Sequence, residues 1–549
     1  MKKIQKYLNE SNKKWNKKDT ITILIILLIY GILSFYHLGN VKSPNTFHDF
    51  QENQEVIVEL NQAENINNLI SFSGFTPANY QVYLSKDGLY YDYIGEIKGK
   101  YCFTWEELEM KKNAKYLKIK FLEESSLGEI GLFNKDQNQI VIKKVIGSRK
   151  IKKLYDEQDT VPFEISNLNS MYFDEIYFAR TAYEYTKGLD TYEWTHPPLG
   201  KLIQAIPIYL TGYFSPFTYR LMSNLSGIIM ILMMYLFGRE LFHKRKYAIL
   251  SSLILAFDTF HFAQTRIGTV DSHLVLFLMI SVYFMIQFTK KNERKYLLLS
   301  AVFFTAMILT KWSGLYGGLA LAIIYFYDLI KKKKLSWKWI GYGTLFFIIM
   351  PIVCCFTIYL LFPNNKVVHT NSISKVLLQQ QKMYEYHSNL DKEHAFSSKW
   401  YSWPFCYKPV WFYTHLTKDG KKGTISTVGN IVIWWVGIIS FFYLLYDIFK
   451  KKNKNSLLLV IIILSLWLPY ALIPRIMFLY HYFSVIPFLI LGTVKMLEDV
   501  WTNKKIKWLF YCYLISMMIF FIVYYPIVSG KPLDIEWIDR LKLFPSWYF

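Results

Sequence analysis

The chain is poor in acid. Its 549 residues hold 41 Asp and Glu against 63 Lys and Arg, a formal charge of +22. Cysteine is scarce as well. There are five, of which Cys354 and Cys355 are neighbours in one apolar run and Cys512 sits in another. Cys102 and Cys406 fall in polar stretches with no metal-type spacing around them. A disulfide-stapled scaffold and a tight metal site are therefore not expected, and a single Cys102–Cys406 bridge is left open. No small-residue cleavage site follows the first apolar run at Gly39 or Asn40, which reads as an uncleaved anchor. No internal repeat of the kind that builds transporters is visible. No binding module accompanies the basic clusters, so the positive charge is not a nucleic-acid footprint.

Apolar and aromatic residues are abundant, at 53% and 18%, and the mean hydropathy is +0.17. Runs of membrane-spanning length recur. A window of ~19 residues picks out about eleven, near 21–38, 217–241, 246–263, 268–289, 295–311, 314–331, 338–362, 428–448, 456–473, 476–497 and 507–528. Basic clusters fall in every second loop between them. They lie at Lys13, Lys14, Lys17 and Lys18; at Arg239 and Lys244 to Lys246; at Lys290 to Lys295; at Lys331 to Lys334; at Lys450 to Lys454; and at Lys504 to Lys507. This alternation is the positive-inside pattern and sets the N-terminus in the cytoplasm. The charge excess is thus mainly a topology signal, and the expected class is a mainly α, polytopic protein of the cell membrane.

Two long loops are expected on the outer side. In the first, residues 45–147 show short β-rich runs at Val56 to Leu60, Leu69 to Phe72, Tyr80 to Leu84, Tyr90 to Ile94, Tyr116 to Leu122 and Ile140 to Val145, separated by turns. They predict a small antiparallel sandwich. Leu127 to Phe133 resembles the closing strands of discoidin-like sandwiches. A spacer and a binding domain are both open readings. The remaining divisions are 1–40, a basic tail and first span; 166–362, a polar loop with the N-terminal membrane part; 363–427, the second outer loop; and 428–549, the C-terminal membrane part.

The polar loop carries the chemistry. Phe173-Asp174-Glu175 starts a stretch of helical character to Lys187, and Thr195-His196-Pro197-Pro198-Leu199-Gly200-Lys201 opens another. Two carboxylates, an imidazole and an ammonium at a membrane edge mark a catalytic-site candidate, because ionisable groups there are costly to keep.

These motifs resemble the protein O-mannosyltransferases, whose pattern is Phe-Asp-Glu, a helix, then His-Pro-Pro-Leu-Gly-Lys. Tyr219-Arg220-Leu221, Asp258 to Arg266 with Asp271, and Thr310 to Gly314 match further family segments. So do Trp400 to Pro404, Gly429-Asn430 with Trp434-Trp435, Pro469-Tyr470 and Arg475 to Tyr482. The likeness covers about 166–528. It resembles the bacterial-type members: the loop at 363–427 is too short for the β-trefoil of eukaryotic members, and the β-insert at 45–147 is extra.

The resemblance implies a GT-C glycosyltransferase that takes a polyprenyl-phosphate sugar, mannose or a related one, and transfers it to Ser or Thr hydroxyls of secreted or surface proteins. It implies an extracytoplasmic site and a base at Asp174. Such a transfer needs a base for the acceptor proton and cations for the departing phosphate, and no general acid. Direct displacement would invert the anomeric centre. Glu175 is expected to orient the acceptor, a neighbour or the cavity wall, because successive helix side chains point about 100° apart. The expected phosphate contacts are Arg220 first, then Lys201, Arg266 and Arg475, with snorkelling to lipid headgroups as the other reading for each. His196, His261, Asp271, Lys311, Tyr480 and His481 are substrate-binding candidates. His196 reads equally as a loop-ordering residue, and His261 with Asp271 as a mutually satisfied pair. No metal and no cofactor is expected beyond the lipid-linked donor. A same-fold enzyme acting on a lipid or cell-wall polymer, a polytopic transporter and a sugar-binding sensor are the alternatives.

Overall fold

The computed structural model describes residues 15–147, 151–362, 373–390 and 393–549. Lys13, Lys14 and parts of the 363–427 loop, including 363–372, lie outside the described residues. Helix α1 (Lys17–Phe35) opens on a capping box between Asn16 and Asp19. Eight strands follow: β1 (His48–Phe50), β2 (Glu55–Ser73), β3 (Asn79–Ser85), β4 (Asp92–Lys98), β5 (Trp105–Phe121), β6 (Ser125–Phe133), β7 (Gln139–Ile140) and β8 (Ile142–Ile146). Then come α2 (Glu175–Lys187), α3 (Leu199–Thr211), α4 (Pro216–Phe242), α5 (Arg245–Ala256), α6 (Thr259–Thr265), α7 (Asp271–Lys291), α8 (Arg294–Ile308) and α9 (Leu315–Lys331). Next are α10 (Trp337–Leu361) and α11 (Ile373–Ser388), the hairpin β9 (Trp411–Leu416) and β10 (Lys422–Ser426), and helices α12 (Ile431–Lys451), α13 (Lys454–Trp467), α14 (Ile486–Thr502), α15 (Lys507–Ser529) and α16 (Ile535–Arg540).

Among the described residues, eight helices are long and apolar enough to cross a membrane. The chain is therefore a multi-pass membrane protein, with eight such helices rather than the eleven expected. The other three expected spans fall on α5, α8 and α14, of 12, 15 and 17 residues. A polar break shortens the first. Asp258 accepts from the His261 N–H, caps α6 and ends the run after α5. Helices α4 and α7 are central, with 61% and 72% of their apolar windows buried, whereas α10 is peripheral at 11%. At the end of α1 where the chain enters, buried Asp19 meets Arg239 at 3.3 Å and Arg245 at 3.0 Å and accepts from the Tyr235 hydroxyl.

The strands of the β-region do not separate into two unconnected hydrogen-bonded sheets. All eight strands join one antiparallel sheet in the order β1-β6-β2-β5-β3-β4, with β7 on β6 and β8 on β2. The runs read as two strands at 56–60 and 69–72 are one, β2. Its register breaks between Glu59 and Glu64, and its two ends change partner, pairing β8 and then β6. Nor is the region a detached spacer. Phe72, Phe103, Trp105 and Phe133 share a core with Ala179, Ala182 and Tyr183 of α2 and with Phe214 and Tyr219. The Trp105 N–H also donates to Ser170 Oγ at 3.2 Å, and the Met171 N–H to the Phe103 carbonyl at 3.4 Å. Cys102 and Cys406 are both free, one beside Arg180 and the other accepting from the Gly429 N–H.

A candidate active site at the start of α2

The corner before α2 divides its two carboxylates. Phe173 has φ +50°, a left-handed conformation rare for a bulky residue, held as its ring packs on Phe412 of β9 with centroids 4.3 Å apart. Tyr172 packs on Tyr413 of the same strand. From this corner Glu175 turns into the protein and Asp174 turns out.

Glu175 is fully buried. Its carboxylate accepts from Arg220 Nε at 2.6 Å, Arg220 Nη2 at 2.8 Å, the Gly268 N–H at 2.9 Å and the Tyr172 N–H at 3.2 Å. Arg220 gives its remaining hydrogens to the carbonyls of Leu38, Asn167 and Ser170. All five guanidinium donors are used inside the protein. This corrects one expectation and selects within another. Arg220 has no hydrogen left for a phosphate, and Glu175, of the partners expected for it, orients neighbours, Arg220 and the 268 turn.

Lys201 is corrected on the same ground. Its ammonium is buried and donates to the Glu193 carboxylate, the Glu193 carbonyl and the His196 carbonyl. Arg266 donates to the Tyr36 and His37 carbonyls, lies over the Phe262 ring and does not line the cavity described below. His261 is buried against Tyr30, whose hydroxyl is 3.0 Å from Nδ1, and is away from the cavity. It does not satisfy Asp271, which pairs with Lys311 at 2.8 Å instead.

Asp174 faces a cavity of about 580 Å³ with His196, Lys311, Arg475, Tyr480 and His481. These are the candidates that the fold brings together. The Asp174 carboxylate makes no hydrogen bond among the described residues. Burial pushes its pKa up to about 7; Lys311 opposes the rise, while Asp271 and Glu193 add to it. Lys311 lies over the Tyr480 ring at 5.4 Å. Arg475 meets no carboxylate among the described residues.

Among the lining residues not anticipated are one carboxylate and one imidazole. Glu193 accepts from Lys201, from the Thr195 and His196 N–H groups and from the Thr195 hydroxyl, and lies 3.1 Å from His196 Nδ1. Burial raises its pKa, but the charges of Lys201 and His196 outweigh that and hold it well below the usual carboxylate range. It stands in Glu-x-x-His spacing with His196, a signal available in the sequence. The second, His387 of α11, comes from the other loop and carries no local motif.

Two family models match the chain. Residues 195–355 match "Dolichyl-phosphate-mannose-protein mannosyltransferase" and residues 372–547 match "C-terminal four TMM region of protein-O-mannosyltransferase". A polyprenol-phosphate-mannose–protein mannosyltransferase of Mycobacterium tuberculosis is 20% identical over 64% of this chain and 80% of its own length. The Mycolicibacterium smegmatis enzyme of that name is 21% identical over 68% and 87%. Among solved structures, a Saccharomyces cerevisiae protein O-mannosyltransferase complex bound to the sugar donor superposes with a TM-score of 0.60 at 14% identity. The match covers 69% of this chain and 89% of that one. The two adjoining family models, the shared helical fold and the Phe-Asp-Glu and His-Pro-Pro-Leu-Gly-Lys segments agree: the chain is a GT-C glycosyltransferase of the protein O-mannosyltransferase family.

Proposed function

We propose that this enzyme transfers mannose from a polyprenyl-phosphate carrier to Ser or Thr hydroxyls of proteins on the outer face of the membrane, with inversion and with Asp174 as base. The observation that carries the reading is the cavity itself. A carboxylate with a raised pKa and no hydrogen-bond partner among the described residues shares it with the cations Lys311 and Arg475. In the step, the acceptor oxygen bonds to the sugar's anomeric carbon as the bond from that carbon to the phosphate oxygen breaks. The hydroxyl proton passes to Asp174, and the electron pair leaves with the polyprenyl phosphate. The phosphate gains one negative charge, which Lys311 and Arg475 meet without any acid. Because Lys311 also pairs with Asp271, Arg475 is the stronger donor contact. His196, Tyr480 and His481 line the space left for the sugar and acceptor. The outward orientation is supported by the basic ends of α7, α9 and α12, which lie at the opposite ends of their helices from this cavity.

The test uses the full-length protein in lipid nanodiscs with radiolabelled polyprenyl-phosphate mannose and a Ser/Thr peptide. Label is expected in the peptide, with the anomeric configuration opposite to the donor's. Label passing only to lipid or polymer acceptors in host membranes would replace the protein acceptor. Retained configuration would remove the single displacement.

A further inference from the structure

Arg475 differs from the other cations near the cavity in the kind of partner it has. Arg220, Lys201 and Lys311 each face a carboxylate that cancels their charge. The Arg475 guanidinium instead donates from Nη1 to Nδ1 of His387, at 2.8 Å. The other ring nitrogen, Nε2, lies 2.8 Å from the Thr195 carbonyl. A carbonyl can only accept, so Nε2 carries the hydrogen and Nδ1 offers a bare lone pair. One neutral tautomer satisfies both contacts. Burial first, then the neighbouring His196, Arg475 and Lys311, pull the His387 pKa down to about 4 against the raising effect of the Thr195 hydrogen bond, which favours this neutral form. A neutral acceptor can aim a guanidinium without spending its charge.

The same helix is tied to the loop that carries His196. Gln379 Nε2 donates to the Trp194 carbonyl at 3.0 Å, the Trp194 ring meets Tyr386 with centroids 5.6 Å apart, and the His387 and His196 rings are 5.3 Å apart. We infer that His387 is a positioning residue for the donor phosphate: it aims the full charge of Arg475 into the cavity and ties that cation to the 194–196 segment, so that α11 of the second loop completes the donor site. The inference rests on the reading of Arg475 as a phosphate contact.

The test measures donor dissociation constants and turnover for full-length variants in nanodiscs, each checked by thermal unfolding. In His387→Asn the amide oxygen takes the place of Nδ1 and keeps the acceptor for Arg475; donor affinity is expected within about threefold of the parent. His387→Asp has the same shape but cancels the charge, and should bind donor roughly tenfold or more weakly than the Asn variant. His387→Gln reaches Thr195 with its amide but offers no acceptor at Nδ1, and should lose roughly 2- to 10-fold. A purely structural latch would not separate Asn from Asp in this way. Equal affinity for those two, or a Gln variant better than the Asn one, overturns the inference while leaving the phosphate reading intact. Arg475→Ala separates the two ideas. It should weaken donor binding by at least as much as His387→Asp, and an unchanged constant there removes the phosphate reading and this inference with it.

Discussion

If Asp174 takes the acceptor proton, the rate at limiting acceptor must follow its ionised fraction. With a pKa of about 7, that fraction rises from about one tenth at pH 6 to about nine tenths at pH 8, so kcat/KM for acceptor should climb about tenfold over that range and then level off. The rise has an identifiable electrostatic part. Lys311 holds the pKa down, so Lys311→Met should move the whole profile to higher pH, whereas bound donor, which adds a negative charge, should move it the same way in the parent. Asp174→Asn keeps the size but cannot accept a proton, and should lose roughly 10²–10⁴-fold with donor affinity unchanged. A stability effect of opposite sign accompanies the loss. An aspartate whose pKa is raised on folding contributes stability below its unfolded value, near 3.8, and that stability drains away as pH rises through about 7. At pH 8 the Asn variant should therefore unfold at a higher temperature than the parent. The assay is a pH–rate series with labelled donor, paired with thermal unfolding in the same buffers. A flat profile from pH 5.5 to 8.5, or an Asn variant with near-normal turnover, would refute the assignment.

Arg220→Ala should act on folding rather than on donor binding. It leaves the Glu175 carboxylate buried without its cation, at a cost of about 3–5 kcal/mol, read as lost monodisperse protein in detergent, with donor affinity per folded molecule retained. At Gly200, any Cβ would fall 2.7 Å from Val270 Cγ1 and 2.9 Å from Thr310 Cγ2. Gly200→Val should therefore force α3 off the turn before α7 and cost about 1–3 kcal/mol, seen as a lower unfolding temperature. Deleting residues 45–147 and joining the ends with a flexible linker strips the cover from Ala179, Ala182 and Tyr183; the product should aggregate or expose α2 to protease, and a monodisperse, active deletion would contradict the packing.

The sequence announced the membrane class, because an apolar run long enough to span is a local property. The eight helices that pass on length and composition all lie on expected spans. The other three expected spans fall on shorter helices, and in the first of them the chain breaks at a single polar residue, Asp258, which a hydropathy window averages away. The cavity was half legible. Asp174, His196, Lys311, Arg475, Tyr480 and His481 do converge, and each stands in a segment with a recognisable pattern. What the linear chain could not convey was which charges would be consumed internally. Arg220 and Arg475 look alike in sequence; only the fold shows that one meets Glu175 and three carbonyls while the other meets a neutral ring. His387 was invisible because its partners, Thr195 and Arg475, are 192 and 88 residues away.

The core shared by the β-region and α2 also sets an order of assembly. The strands that carry Phe72, Trp105 and Phe133, with Phe103 just ahead of β5, all precede residue 175 in the chain. Domains generally fold as they are synthesised, N-terminal parts first. The sheet can therefore stand as a finished template before α2 emerges. The later helix docks its Ala179–Ala182–Tyr183 face onto aromatic rings already in place. In that order the β-region acts as a cast for α2, and a defect in its strands would also surface as a displaced α2, with Asp174 at its start.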